Sequence, residues 1–245
     1  MALTRYAPTP SGFLHAGNVA NLERTAELAR QLGAAVALRI DDADATRYRR
    51  EYVDDIFRVL AVRGLDWDLG PRDTDDFEAN FSQRRKTDYY REVLLESGLT
   101  TYACVCSRTT QCQTPTGGCV GHCRTAGHAW RPGHTALRVS VPPSTSIHVG
   151  GEMVRLDLEI GDLVIWRRDD LPAYQLVSVI EDRDLGTTHI VRGADLLASS
   201  AAQIFLARAI GADNVVTATY VHHALVVDAE GRKLSKSTMS SREGA

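Results

Sequence analysis

Leu3-Thr-Arg-Tyr-Ala7, Pro8-Thr-Pro-Ser-Gly12 and His15-Ala-Gly-Asn18 decide how the rest of the chain is read. The first run predicts a strand, and the second, with two prolines and a glycine, predicts a turn. Beyond the third, Leu22, Ala26, Leu28 and Leu32 form an apolar stripe of roughly helical spacing, which predicts a helix from about Val19 to Gly33. A strand, a Pro/Gly-rich turn and a helix N-terminus make a phosphate-site geometry, because the first N–H groups of the helix and its dipole face the turn. Gly12 and Gly17 permit close backbone approach, and His15 and Asn18 add side-chain donors. Taken alone, His15 reads more readily as a structural loop residue.

Working outward, the apolar run Ala34 to Ile40 ends in Asp41-Asp42-Ala-Asp44. This fits a buried parallel strand with polar groups at its carboxyl end. Helices are predicted over Arg49 to Arg63 and Arg84 to Ser97. A cysteine-bearing segment then interrupts the alternation, and shorter β-type patterns run from Thr135 to about Arg167. Strand and helix resume at Thr188 to Val191 and Ser199 to Ile210, and a last strand is predicted over Val221 to Val227. Alternating strands and helices imply an α/β fold with a Rossmann-type parallel sheet. Its halves are expected over 1–100 and 171–245, interrupted over 101–170 by a zinc-bearing α+β subdomain. Ligands of such sheets lie beyond the carboxyl ends of the strands. Pro8 to Asn18, the Asp41–Asp44 carboxylates and a loop bearing Lys233 and Lys236 are therefore candidates to meet there. The carboxylates would hold an ammonium group or a metal; the alternative is helix capping ahead of Thr46.

The 245 residues carry a net charge of −3, with 44% hydrophobic and 24% charged side chains, as in an ordinary globular domain. The acidic balance argues against nucleic acid held by bulk electrostatics, so any such partner requires a local surface. No apolar run approaches the roughly 20 residues of a bilayer span, and the first residues lack the features of a secretory signal. A cytoplasmic protein without a membrane partner is expected, as a monomer. Of 28 basic residues only Lys86, Lys233 and Lys236 are lysine. Two of these lie in Lys233-Leu-Ser-Lys-Ser237, where compact ammonium charges suit a phosphate site. All five cysteines fall between Cys104 and Cys123. A cytosolic chain of this size does not need a disulfide staple, whereas Cys104, Cys106, Cys119 and Cys123 can converge tetrahedrally on zinc. Such a closed site is structural. Cys112 is read as a spare thiol and His122 as a competing ligand.

Arg5-Tyr-Ala-Pro-Thr-Pro-Ser-Gly-Phe-Leu-His-Ala-Gly-Asn18 together with Lys233-Leu-Ser-Lys-Ser237 resembles the paired ATP-site motifs of class I aminoacyl-tRNA synthetases. Arg39-Ile-Asp-Asp-Ala-Asp44, Pro172-Ala-Tyr-Gln-Leu176 and Val191-Arg-Gly-Ala-Asp-Leu-Leu197 look like the glutamyl branch. The Cys-x-Cys pair followed by Gly121-His-Cys-Arg124 looks most like its short paralogue family, the glutamyl-queuosine tRNA-Asp synthetases. The resemblance runs from Arg5 to Ser237.

It implies an enzyme that condenses an amino-acid carboxylate with Mg²⁺-bound ATP to an aminoacyl-adenylate and passes the acyl group to a hydroxyl of a tRNA nucleoside. It places Arg5, Tyr6, Ala7, Pro8 and Thr9 against the amino acid, Asp41 on its ammonium, and Tyr174 and Arg192 on the remainder. Guanidinium forks suit a side-chain carboxylate, so an acidic substrate such as glutamate is implied. His15, Gly17 and Asn18 would bind ATP, with Lys233 and Lys236 completing the catalytic set and Lys236 facing the α-phosphate and departing pyrophosphate. The same resemblance assigns zinc to Cys104, Cys106, Cys119 and Cys123. Asp41 stands where the family usually has glutamate, Thr9 where it has serine, and Cys119 where the paralogue often has tyrosine. The sequence ends eight residues after Ser237, from which no anticodon-binding domain is expected. Two other functions fit the same residues: a ligase that hands its adenylate to a small amine or carrier protein, and a catalytically silent binding module, against which the intact ATP motifs speak.

Overall fold

The computed structural model describes residues 1–106 and 119–225. Its strands and α-helices, in chain order, are β1 (Leu3–Tyr6), α1 (Ala16–Leu32), β2 (Ala35–Leu38), α2 (Arg50–Val62), α3 (Thr74–Asp76), α4 (Thr87–Glu96), β3 (Thr101–Cys104), β4 (Ala136–Val139), β5 (Ser146–Val149), β6 (Glu152–Arg155), α5 (Leu156–Glu159), β7 (Leu163–Trp166), α6 (Tyr174–Leu185), β8 (His189–Gly193), α7 (Leu197–Ala209), α8 (Asp213–Thr217) and β9 (Thr219–His223). They form two compact units, one from Met1–Arg85, Thr187–Asp195 and the segment from Thr219, the other from Lys86–Gly186 and Leu196–Ala218.

In the first unit, β1 and β2 pair in parallel from Leu3 opposite Ala35 to Tyr6 opposite Leu38. Parallel neighbours need a crossover, and α1 supplies it. A second parallel pair joins β8 to β9. The two pairs meet at Thr188, whose N–H donates to the Leu3 carbonyl at 2.9 Å while its Oγ1 accepts from the Leu3 N–H at 2.8 Å. All four residues of β1 are buried, as a covered parallel strand requires. Helix α1 stops at Gly33, where φ of +58° lets the N–H turn back to the Ala29 and Arg30 carbonyls. Leu22, Leu38, Val53, Ile56, Leu60 and Phe77 share the core between helices and sheet. Gly70, at φ +108°, passes β2 so closely that a Cβ would lie 2.2 Å from the Leu38 carbonyl oxygen.

The second unit is antiparallel and helical. Its sheet has the order β3-β4-β7, and β5 and β6 form a separate hairpin. The unit takes in more than the expected 101–170 segment, because α4 packs on α6, α6 on β7 and α7 on β5. Glu181 of α6 accepts from Tyr90 Oη at 2.8 Å and from Lys86 Nζ at 3.0 and 3.2 Å, which fastens α6 to α4. The sequence pattern gave no sign of α6: residues 176–182 are buried without a break although Ser178, Glu181 and Asp182 are among them, so polar and apolar residues do not segregate onto opposite faces to set a period. A turn of helix, α5, also interrupts the β-type pattern expected from Thr135 to about Arg167. The whole is an α/β fold carrying both parallel and antiparallel sheets. Among the described residues, no helix is long and apolar enough to cross a membrane.

Candidate active site

The turn after β1 delivers His15 as the N-cap of α1, with extended backbone at φ −101° and ψ 170°. The helix begins three residues earlier than its apolar stripe predicts, because the cap, not the stripe, nucleates it. Nδ1 of His15 accepts from the Gly17 N–H at 3.1 Å, and Asn18 Oδ1 accepts from the His15 N–H at 3.2 Å, a reciprocal capping box. With Nδ1 accepting, the proton of the neutral ring sits on Nε2, which is thereby a donor. The cap is further held by Asp55, whose Oδ2 accepts from the Leu14 N–H at 2.9 Å. From the other edge of the unit, His223 Nε2 lies 3.0 Å from Asn21 Oδ1 on α1.

The carboxylates after β2 divide into three roles. Asp41 is clasped by Arg39, with Nε to Oδ1 at 2.7 Å and a terminal nitrogen to Oδ2 at 3.1 Å, and Gln83 Nε2 donates to Oδ1 at 2.9 Å. Asp42 has a fully buried side chain that accepts from Ser82 Oγ at 2.7 Å, the Gln83 N–H at 2.7 Å and Arg84 Nε at 2.8 Å. A buried carboxylate needs such donors. Asp44 accepts from the N–H and Oγ1 of Thr46 across a turn; no helix begins there, since α2 starts at Arg50, so none of the three carboxylates is the helix cap the alternative reading expected. The Arg39 N–H donates to the Tyr6 carbonyl and the Asp41 N–H to the Pro8 carbonyl, each at 2.9 Å, which sets residues 6–8 beside 39–41. Ser82, Gln83 and Arg84 were missed from sequence, since they act on a segment forty positions away and no local pattern marks them. Arg84 stacks on the Tyr48 ring at 3.7 Å. Burial, then the hydrogen bond to Glu78, pushes the Tyr48 hydroxyl up to about 12.

Of the remaining expected residues, Arg5 and Arg192 are buried at 3% and 4% exposure on β1 and β8. Arg192 lies opposite His222 in the β8–β9 register. Burial and then the Arg192 charge hold the His222 imidazole below its ordinary range, and its ring stacks on Tyr220 with planes 10° apart. Tyr6 is buried, its hydroxyl pushed up to about 12 by burial and by Asp66. Ala7 is half-buried, Pro8 buried and Thr9 exposed. Tyr174 opens α6 in the second unit and is 44% exposed. Lys233, Lys236 and Cys112 lie outside the described residues.

In the second unit the Sγ atoms of Cys104, Cys106 and Cys123 all lie within 4.8 Å of one another, with Cys106 and Cys123 3.4 Å apart. Two thiolates on one tetrahedral zinc would stand about 3.8 Å apart, given Zn–S bonds near 2.3 Å, so the cluster fits that ion. Burial raises the Cys123 thiol, but hydrogen bonds from the Val105 N–H, Cys106 and Cys104 outweigh it and leave the thiol below its usual range. Cys119 is not in this group of three. Its Sγ accepts from the Gly121 N–H at 3.4 Å and lies 3.8 Å from Tyr102 Oη. His122 Nδ1 is 3.9 Å from Cys123 Sγ. Behind Cys119 stands Asp162, with a fully buried side chain. It accepts from Tyr102 Oη at 2.5 Å, from Arg124 at 2.7 and 2.5 Å and from the Val141 N–H at 2.9 Å.

The sequence profile of the family described as tRNA synthetases class I (E and Q), catalytic domain, matches residues 1–114 and 120–243. A glutamyl-Q tRNA(Asp) synthetase of Pseudomonas putida strain GB-1 is 40% identical over 242 residues, covering 96% of this chain and 77% of that protein. One of Verminephrobacter eiseniae is 36% identical over 248 residues, covering 95% and 80%. A crystal structure of a glutamate tRNA ligase from Elizabethkingia meningosepticum superposes with a TM-score of 0.77 at 23% identity, covering 98% of this chain and 53% of that one. At that identity the likeness concerns the fold. The chain spans about half the length of that ligase and about three quarters of the curated relatives.

Proposed function

Because the chain belongs to the family of class I tRNA synthetases (E and Q), we propose that it is an adenylate-forming ligase that activates glutamate and transfers it to a nucleoside of a tRNA, of the queuosine type. The observation that carries this reading is the 40% identity to glutamyl-Q tRNA(Asp) synthetases along nearly the whole chain. The strand–turn–helix with its His15 cap supports it as the phosphate end of the site.

In the first step a carboxylate oxygen of the amino acid attacks the α-phosphorus of ATP, and pyrophosphate leaves as the P–O bond to it breaks. In the second, the acceptor hydroxyl attacks the acyl carbon, gives up its proton, and AMP departs. Neither step needs a protein nucleophile; positioning and charge stabilisation carry the rate. His15 Nε2 donates to an ATP phosphate, while Gly17 and Asn18 supply the helix N-terminus. Lys233 and Lys236 stabilise the charge on the α-phosphate and the leaving pyrophosphate. Arg5 and Arg192 receive carboxylate groups of the substrate, residues 6–9 shape the pocket, and Asp41 accepts from its ammonium. Mg²⁺ would accompany ATP and neutralise phosphate charge. Cys104, Cys106 and Cys123 would hold a structural zinc that takes no part in the chemistry; Cys119, the fourth sulfur that the resemblance assigns, stands outside their cluster beside Tyr102.

The test is ATP–pyrophosphate exchange with each of the twenty amino acids in the absence of tRNA, followed by transfer of labelled amino acid to total RNA. Exchange that requires glutamate and ribonuclease-sensitive label support the reading. Exchange without RNA label points to a small amine or carrier-protein acceptor, and no exchange with any amino acid refutes the ligase.

A further inference from the structure

We propose that Gln83 is a positioning residue for amino-acid binding, acting through Asp41; this rests on the reading of Asp41 as the ammonium acceptor. Gln83 is 1% exposed and turns its side-chain amide and its backbone N–H onto the segment after β2. Its Nε2 donates to Asp41 Oδ1, its backbone N–H donates to Asp42 Oδ1, and its Oε1 accepts from the Ala43 N–H at 3.3 Å. One residue thus spans three consecutive positions, its side chain holding the first and third and its backbone the second.

The consequence lies in which oxygen of Asp41 remains to meet a cation. Oδ1 receives Arg39 Nε at 2.7 Å and Gln83 Nε2 at 2.9 Å, which fills its two acceptor positions. Oδ2 receives a single, longer bond from Arg39 at 3.1 Å and keeps an acceptor position for the substrate ammonium. Arg39 alone could let the carboxylate rock about its fork. Gln83 pins one oxygen from a second direction and so fixes where the other points.

Two substitutions separate positioning from bulk packing. Gln83→Leu removes both polar groups of the side chain. Gln83→Glu keeps its shape and the acceptor for Ala43 but presents an oxygen to Asp41 in place of the donor, and it serves if the leucine variant fails to fold. In glutamate-dependent ATP–pyrophosphate exchange on the full chain, each is expected to raise KM for glutamate about tenfold or more, the scale of a lost hydrogen bond to a charged group. KM for ATP and kcat are expected to stay within about threefold. A KM for glutamate within twofold of wild type, or KM values for both substrates rising together, overturns the assignment. If the wild-type chain itself shows no exchange with glutamate, the functional reading fails and the proposal with it; an active wild type with unaltered variants sinks the proposal alone.

Discussion

Replacing Asp162 by asparagine should cost the second unit about 3 kcal/mol. The side chain is fully buried and accepts four hydrogen bonds, two from Arg124, one from Tyr102 and one from the Val141 N–H. Removing one partner of a buried ion pair typically costs about 3–5 kcal/mol, because the surviving charge is left without compensation. Arg124 is 33% exposed, so water recovers part of its solvation and the lower end applies. Unfolding by urea, followed by the fluorescence of Trp130 and Trp166 in a Trp67→Phe background, reports on the second unit alone. The pH dependence gives a second check. Burial raises the Asp162 carboxyl, but the hydrogen bonds from Arg124, Tyr102 and Val141 outweigh it, and the folded value lies below 3.8. The unfolded chain therefore binds the proton more readily, and the stabilisation present above the unfolded value is lost as pH falls through the folded one. The gap between wild type and Asp162→Asn should be constant from pH 7 to 5 and narrow below about pH 4. A loss under about 1 kcal/mol, or a gap that ignores acid, would refute the account of Asp162 as the charged anchor of this unit.

Lys236→Ala should lower pyrophosphate exchange by roughly a hundredfold or more while the far-ultraviolet circular dichroism is unchanged, the scale of one lost transition-state donor; an unaltered rate removes Lys236 from the mechanism. The zinc reading predicts one equivalent of metal per chain by atomic emission after gentle purification, and a lower urea midpoint for Cys123→Ser; a metal-free chain with normal stability rejects it. His222 is held below its ordinary value of 6.5, by burial and then by Arg192, so the unfolded chain takes up its proton more readily than the folded one. Stability should fall as pH drops below about 6.5, and the slope between pH 6.5 and 5 should lessen in His222→Gln; equal slopes in both chains would show that His222 does not set it.

Much of the first unit was legible in the residues. The run Leu3 to Ala7, the Pro/Gly turn and the apolar stretch Ala34 to Ile40 correspond to β1, its turn and β2, because the turn carries its own chemistry and marks where β1 ends, and a covered parallel strand such as β2 is continuously apolar. The Cys104–Cys123 pattern likewise foretold the gathering of thiols, though the three that come together do not include Cys119, which the fold sets near Tyr102 and Asp162. Helix α6 was not legible, since its buried run mixes Ser178, Glu181 and Asp182 with the apolar residues and so shows no amphipathic period.

What the sequence by itself determined is the inventory: a Pro/Gly turn ahead of a helix, an acidic strand end, a cysteine cluster and the family to which these point. It did so because each is a local pattern, carried by neighbours whose spacing is the signal. Only the tertiary structure decided the duties within Asp41-Asp42-Ala-Asp44, giving one carboxylate to Arg39 and Gln83, one to a buried frame of Ser82, Gln83 and Arg84, and one to the turn at Thr46. Those partners lie forty residues away, or across a strand end, and a carboxylate's task is set by the donors that surround it in space, which no adjacent residue encodes.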